Sequence, residues 1–153
     1  MAAARERELE RAKGVTRRMT TIQCQCGAVK VELSGDPVAQ FYCHCRDCQR
    51  VHGAGYIPVS MYRADQVKVV DGDPSMWKLR ATPRATCRAC GTRVFAEPPI
   101  GMRGVNALLL PDGAFNAQFH IQCSEAHLPI RDGLPHFKAY PASFGGSDDT
   151  VDW

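Results

Sequence analysis

The sequence predicts a single domain that is dominated by β-structure and contains one short helix. Short segments that alternate apolar and polar residues, or are rich in β-branched residues, recur along most of the 153 residues. Ten Pro and thirteen Gly punctuate the chain, which is typical of a fold with many turns. A chain of this length is expected to form one domain around one core.

The predicted elements follow one another from residue 20 to residue 140. Strands are expected at 20–25, 28–33, 38–42, 55–62, 67–70, 75–80, 93–97, 105–110, 118–122 and 137–140. Helical patterns occur at 45–52 and at 64–66 only.

The two ends of the chain differ from this central part. Residues 1–18 are rich in both arginine and glutamate, and we expect them to form a flexible N-terminal extension. Met19 begins the first strand-like segment, so the domain is predicted to span residues 19–143. Residues 144–153 are expected to form a loose tail unless Trp153 docks on the domain.

Composition argues against several classes of partner. The formal net charge of +3 is far from the dense basic stripe that nucleic-acid binding requires. No apolar run approaches the roughly 18 residues that would span a bilayer, and no apolar core of a secretory signal is present. We therefore expect a cytoplasmic protein whose partner is a small molecule, not nucleic acid or a membrane.

The eight cysteines are the most informative feature of the sequence. Disulfides are rare in a reducing cytosol, so clustered cysteines there indicate metal binding or redox chemistry. The alternative is a set of buried apolar thiols or disulfides. The cysteines form a Cys-x-Cys pair, a Cys-x-Cys-x-x-Cys group, a Cys-x-x-Cys pair and one single residue: Cys24 and Cys26; Cys43, Cys45 and Cys48; Cys87 and Cys90; Cys123.

The first and third groups together predict a structural zinc site. Alternation along a strand would turn Cys24 and Cys26 to the same side. Cys87 and Cys90 lie in a tight turn in which Gly91 can adopt a positive φ. Two such pairs supply a closed tetrahedron of four thiolates.

The middle group predicts a second zinc site with an open position. Cys43, Cys45 and Cys48 run from a strand into a short helix, and three protein ligands are typical of a catalytic zinc. In the alternative, Cys123 supplies a fourth ligand and the site is purely structural. Alternation along the chain would turn His44 away from the ion.

These three groups, in this order, resemble the glutathione-dependent formaldehyde-activating enzyme family, also called the centromere protein V/GFA domain. The resemblance covers about residues 20–141. Its motifs are Cys24-Gln-Cys-Gly27, Cys43-His-Cys-Arg-Asp-Cys48, Gln49-Arg-Val-His-Gly-Ala-Gly55, Cys87-Arg-Ala-Cys-Gly91, Thr92-Arg-Val-Phe95 and Asp132-Gly-Leu-Pro-His-Phe137.

The resemblance implies a fold, two zinc sites and a reaction. The fold is an Mss4-like β-sheet domain, with the four-cysteine group on the structural zinc and the three-cysteine group on a catalytic zinc. The reaction is that of a carbon–sulfur lyase, in which glutathione and formaldehyde form S-hydroxymethylglutathione. A second function fits the same fold, namely a non-catalytic zinc module that binds a protein partner or a thiol ligand.

Several side chains are candidates for handling a glutathione substrate. Its carboxylates call for arginines, and the candidates are Arg46, Arg50, Arg80, Arg84, Arg88 and Arg93. We assign this role to Arg46 and Arg50, which are nearest in sequence to the three-cysteine group. His52 and Tyr56 are candidates for proton transfer. No role is assigned to His120, His127 or His136.

Overall fold

The computed structural model describes residues 2–12 and 17–153. Helix α1, Ala2–Ala12, lies within the expected extension, and the side chains of residues 4–9 are exposed. Arg7 of this helix forms an ion pair of 3.3 Å with Glu32. The rest of the expected extension up to residue 16, and residue 1, lie outside the described residues.

The domain is built from ten strands and one short helix between residues 19 and 121. The strands are β1 Met19–Gln23, β2 Lys30–Ser34, β3 Ala39–Cys43, β4 Ile57–Arg63, β5 Val67–Asp71, β6 Ser75–Leu79, β7 Thr82–Thr86, β8 Arg93–Ala96, β9 Met102–Asn106 and β10 Phe119–Ile121. Helix α2 is Arg46–His52. In the described part of the chain, four 3-10 turns occur, at Ala64–Gln66, Ala107–Leu109, Cys123–Glu125 and Ala142–Phe144. The predicted sheet-dominated fold with one short helix is confirmed.

The strands form two sheets. Three strands pair in the order β1-β2-β5, and seven pair in the order β10-β3-β4-β9-β8-β7-β6. All pairs are antiparallel except β10 with β3, which places Ile121 beside Cys43. The seven-stranded sheet carries the three-cysteine group near one edge, and its β7–β8 hairpin carries the second half of the four-cysteine group.

Two apolar clusters form the core. The larger one includes Ile22 and Leu33 of the small sheet together with Val94 and Val105 of the large sheet. Cys24 and Cys87 belong to the same cluster, so the two sheets share one buried region with half of the four-cysteine group; Cys26 and Cys90 are exposed. The second cluster lies around β3 and β4.

One observed strand was not predicted, and two predicted strands differ from the observed structure. Strand β7 was not predicted; it contains Pro83, which pairs with Lys78 in the sheet although proline lacks the N–H of a strand residue. The apolar run expected as a strand at 105–110 instead ends β9 and enters a 3-10 turn, which leaves Leu108 78% exposed. The segment expected at 137–140 forms only an isolated bridge from Phe137 to Thr150.

The C-terminal residues lie against the domain. The backbone N–H of Val151 donates to the carbonyl of His136 at 2.9 Å. The indole of Trp153 packs against the rings of His136 and His44, with centroid distances of 4.9 and 5.3 Å. The sequence predicted a loose tail unless Trp153 docks on the domain, and Trp153 does dock there.

No helix among the described residues is both long enough and apolar enough to cross a membrane.

Candidate metal centres and substrate cleft

The four sulfur atoms of Cys24, Cys26, Cys87 and Cys90 lie within 4.8 Å of one another. The sulfur of Cys26 is 3.7 Å from that of Cys24 and 3.8 Å from that of Cys87. Four sulfurs placed about 2.3 Å from a tetrahedral zinc ion stand about 3.8 Å apart. The group could therefore hold zinc with little rearrangement.

Two hydrogen-bonded turns bring these sulfurs together. The N–H of Gly27 donates to the carbonyl of Cys24, and the N–H of Gly91 donates to that of Cys87, each at 3.0 Å. Both glycines have a positive φ, 81° and 76°, which an L-residue would adopt at a cost. Strand β1 ends at Gln23, so the expectation that strand alternation aligns Cys24 with its partner is wrong; the turn does this instead.

Polar hydrogens point at the sulfurs from both turns. The N–H of Val29 donates to the sulfur of Cys24 at 3.3 Å. The hydroxyl of Thr92 lies 3.0 Å from the sulfur of Cys90 and accepts a hydrogen bond from the N–H of Gln25 at 3.1 Å. The hydrogen bond from Thr92 lowers the pKa of Cys90 to about 5. Thr92 thus joins the two turns and favours thiolate, the form that binds metal.

The sulfurs of Cys43, Cys45 and Cys48 form the second group, again within 4.8 Å of one another. Cys43 ends β3, Cys45 caps the N-terminus of α2, and its sulfur accepts the N–H of Cys48 at 3.3 Å. Hydrogen bonds from the thiols of Cys43 and Cys48 lower the pKa of Cys45 to about 3. This group could also hold zinc.

Among the described residues no fourth side-chain ligand joins this group. Cys123, the alternative ligand, is buried elsewhere, and burial raises the pKa of its thiol to about 12. His44 lies between two of the cysteines, but its Nε2 is 2.8 Å from Nδ1 of His120, so its ring faces away from the sulfurs. The described structure therefore brings three cysteine sulfurs together without a fourth side-chain ligand.

A cleft of about 780 Å³ opens over the three cysteines. This volume lies within the range of sites for small molecules. One part of its wall is aromatic: Phe41 stacks on Phe119 with a centroid distance of 5.5 Å, and Phe144 packs edge-on against Phe41 at 6.3 Å. The cleft can therefore exclude water from part of a bound molecule.

The arginines around this cleft differ in burial. Arg46 and Arg50, the pair to which we assigned substrate binding, line the cleft but are exposed. Arg84 and Arg93 also line it; Arg84 is only 7% exposed. The Nε atoms of Arg84 and Arg93 are buried and have no hydrogen-bond partner among the described residues. Arg88 does not line the cleft and instead bonds the carbonyl of Asp73.

The two candidates for proton transfer lie on different sides of β3 and α2. His52 lines the cleft, and burial together with the charges of Arg84 and Arg93 lowers its pKa to about 4. Tyr56 does not line the cleft; its ring stacks on His44 at a centroid distance of 5.0 Å.

A third group of potential ligands was not found by sequence reasoning. His120, Asp132 and His136 offer ligand atoms within 4.8 Å of one another. The sequence signal is weak, because only the Asp-x-x-x-His spacing of Asp132 and His136 hints at it. His120 joins them through long-range bridging of residues 120 and 136, which spacing does not reveal.

Comparison with known proteins agrees with this geometry. A search of curated proteins gave no significant match. A crystal structure of a Rhodobacter sphaeroides protein from a structural genomics programme superposes with a TM-score of 0.52 and 22% identity, covering 61% of this chain and 89% of that one. Residues 19–128 match the family model of the glutathione-dependent formaldehyde-activating enzyme. The chain therefore belongs to the glutathione-dependent formaldehyde-activating enzyme family.

Proposed function

We propose that this protein is a zinc-dependent enzyme of the carbon–sulfur lyase type, which interconverts glutathione plus formaldehyde with S-hydroxymethylglutathione. The observation that carries the proposal is the cleft over Cys43, Cys45 and Cys48, a set of three cysteine sulfurs with no fourth protein ligand among the described residues. Family membership supports the same reaction. Reduced thiols are needed throughout, so a reducing cytoplasm is the compartment that we propose.

The chemistry of the donor sets separates the two metal sites. Cys24, Cys26, Cys87 and Cys90 complete a tetrahedron by themselves, so that site has only a structural role. A zinc ion on the three-cysteine group would supply a position at which a soft substrate thiol binds as its thiolate. Three thiolates make that ion a poor activator of water, which favours a thiol as the partner.

Two arginines of the cleft, Arg84 and Arg93, can bind the negative charge of the substrate. Glutathione carries two carboxylates, and a guanidinium binds a carboxylate through paired N–H groups. Arg84 and Arg93 have buried Nε–H groups without acceptors in the described structure. A buried donor without an acceptor costs about 1–3 kcal/mol, a cost that a substrate carboxylate would remove.

The reaction adds the thiol across the carbonyl group. A sulfur–carbon bond forms, the π bond of formaldehyde opens, and the thiol proton is transferred to the carbonyl oxygen. His52 lines the cleft and its lowered pKa keeps the ring neutral at pH 7, so a ring nitrogen can accept or deliver this proton. The aromatic wall around Phe41 limits the access of water to the reacting atoms.

Exchange NMR tests the proposal, because the same adduct also forms without a catalyst. With ¹³C-formaldehyde and glutathione at equilibrium, we expect the wild-type protein to speed exchange between free and bound carbon without shifting the equilibrium. Cys45→Ser should return exchange to the rate in buffer. Cys123→Ala, which removes a buried cysteine outside both groups, should keep the acceleration.

Two results would contradict the proposal. One is a zinc-loaded wild-type protein that exchanges no faster than buffer; if calorimetry then still detects glutathione binding, the chain is a thiol-binding module. The other is full acceleration by Cys45→Ser.

A further inference from the structure

A cluster of histidines lies on the side of β3 away from the substrate cleft. The Nε2 atom of His120 is 2.6 Å from Oδ2 of Asp132, and the Nε2 atom of His136 is 3.2 Å from Oδ1 of the same carboxylate. The two imidazole rings are 4.5 Å apart. Two imidazole nitrogens and one carboxylate thus converge on one point, and none of these residues lines the cleft.

Burial makes this convergence chemically significant. His120 is fully buried and His136 is 6% exposed. Despite its proximity to Asp132, the Nε2 atom of His136 has no hydrogen-bond partner in the described structure, because the contact is poorly aligned. A buried nitrogen without a hydrogen-bond partner is uncommon and needs an explanation, and a bound ion is one.

The surroundings hold the three side chains in place. Nδ1 of His120 is 2.8 Å from Nε2 of His44, which fixes the ring of His120 and leaves its Nε2 facing Asp132. The N–H of Leu134 donates to Asp132 at 3.0 Å. A metal-bound histidine usually uses its other ring nitrogen in this kind of hydrogen bond, and a ligating carboxylate is usually held by a hydrogen bond as well.

A purely structural role accounts for only part of this arrangement. A hydrogen bond from His120 to Asp132 would explain why those two residues meet. It leaves the buried Nε2 of His136 without a hydrogen bond, and its 3.2 Å contact with Asp132 does not supply one. An ion shared by all three side chains would use that nitrogen.

We propose that His120, Asp132 and His136 form a third metal site that binds zinc or a similar first-row divalent ion. Two imidazoles and a carboxylate are a donor set that such ions favour. The ion would replace the His120–Asp132 contact, and the two atoms would move apart to about 3.3 Å, the spacing of ligands about 2.0–2.1 Å from a tetrahedral ion. The side chain of Asp132 is 30% exposed, which gives an ion and a water ligand access from solvent.

The metal content of the zinc-loaded protein and its cadmium spectrum test the proposal. After dialysis against excess zinc and desalting, plasma mass spectrometry should find three zinc ions per chain. In protein loaded with cadmium-113, NMR should show two resonances from thiolate sites and a third, well upfield, from a site with nitrogen and oxygen ligands.

Variants assign the third ion to its ligands. Asp132→Asn and His136→Gln should each lose one zinc per chain and the upfield resonance only. His127→Gln, which replaces an exposed histidine in the same region, should keep both. Asp132→Asn retains an oxygen that can accept the hydrogen bond from the N–H of Leu134, so we expect this variant to fold. It therefore tests the metal site even if His136→Gln fails to fold.

The proposal is overturned if the wild-type protein holds two ions with only thiolate resonances. It is equally overturned if the upfield resonance persists in Asp132→Asn or in a folded His136→Gln protein.

Discussion

At the scale of single residues, Arg84 shows how strand alternation places a charged side chain in the cleft. Its neighbour Ala85 is fully buried in the larger core cluster, so Arg84 points to the opposite face of β7 and into the cleft. Its guanidinium lies 5.9 Å from the centre of the Trp77 ring, which orients the side chain through a cation–π contact. The sequence placed Arg84 among six candidates, but its burial depends on pairing between strands and was not predictable from spacing.

Replacing Arg84 tests whether it recognises the charge of the substrate. We expect Arg84→Met to weaken glutathione binding at least tenfold, because a hydrogen bond to a charged group contributes about 1.5–3 kcal/mol. Binding of a neutral thiol, N-acetylcysteamine, should hardly change. Isothermal titration calorimetry measures both.

Arg50→Met is the matched control at an exposed position of the same cleft, and we expect an effect of less than about fivefold, since exposed ion pairs contribute about 0–1 kcal/mol. A larger effect at Arg50 than at Arg84 would restore the assignment made from sequence proximity.

The pKa of His52 predicts how acid affects stability. In the unfolded chain this histidine binds a proton near pH 6.5, whereas in the folded protein its lowered pKa delays protonation to about pH 4. The unfolded state therefore binds more protons between these values, and stability contributed by neutral His52 is lost as the pH falls from 6.5 towards 4.

His52→Gln should reduce this loss. We expect the Tm of the variant, relative to that of the wild type, to rise as the pH falls. Circular dichroism of the two zinc-loaded proteins from pH 7.5 to pH 5 measures both Tm values. A difference that is constant with pH would show that His52 titrates normally.

At the scale of elements, the two helical segments were predicted more closely than strand β7, which was missed. The helix at 45–52 and the turn at 64–66 were predicted closely, since α2 is Arg46–His52 and a 3-10 turn is Ala64–Gln66. Capping by Cys45 and the left-handed Gly53 that ends α2 explain the first of these. The missed strand β7 shows the opposite case, in which sheet pairing on both sides outweighs the local effect of Pro83.

A glycine after β5 tests the importance of close backbone approach. Gly72 has a φ of +82°, and a Cβ atom there would lie 2.1 Å from the carbonyl oxygen of Ala28. An alanine in the left-handed conformation costs about 1–2 kcal/mol. We expect Gly72→Ala to lower the free energy of unfolding by clearly more than this. Urea denaturation of the zinc-loaded protein measures the change.

Gly101→Ala isolates the conformational part of this cost. Gly101 also has a positive φ, +71°, but its Cβ would meet nothing within 4 Å. If both variants lose the same free energy of unfolding, the contact with Ala28 adds nothing to the conformational cost.

At the scale of the whole molecule, the four-cysteine group joins the two sheets. One half lies in the turn between β1 and β2 and the other in the turn between β7 and β8, some sixty residues apart in sequence. Pair spacing predicted which cysteines act together, because ligands two or three residues apart share one turn. It could not predict the histidine group, whose members meet only through the parallel pairing of β10 and the path of the chain after it.

Removing one ligand from each cysteine group should have unequal effects. Zinc in a structural site contributes about 10–16 kcal/mol in peptide models, comparable with the stability of about 5–15 kcal/mol of a typical domain. We therefore expect Cys87→Ser to be largely unfolded, by near-ultraviolet circular dichroism, and to bind no metal at that site.

Cys43→Ser should keep the fold, with one zinc fewer per chain and weakened glutathione binding. Comparable unfolding of the two variants would argue against a division into a structural and a functional site.

The positions of Trp77 and Trp153, the two tryptophans of the chain, have a practical consequence. The first adjoins the guanidinium of Arg84, and the second lies against His136. With either one replaced by phenylalanine, the intrinsic fluorescence of the other reports on a single location. Emission changes caused by glutathione and by added divalent ions can then be followed separately, in one cuvette and without an attached dye.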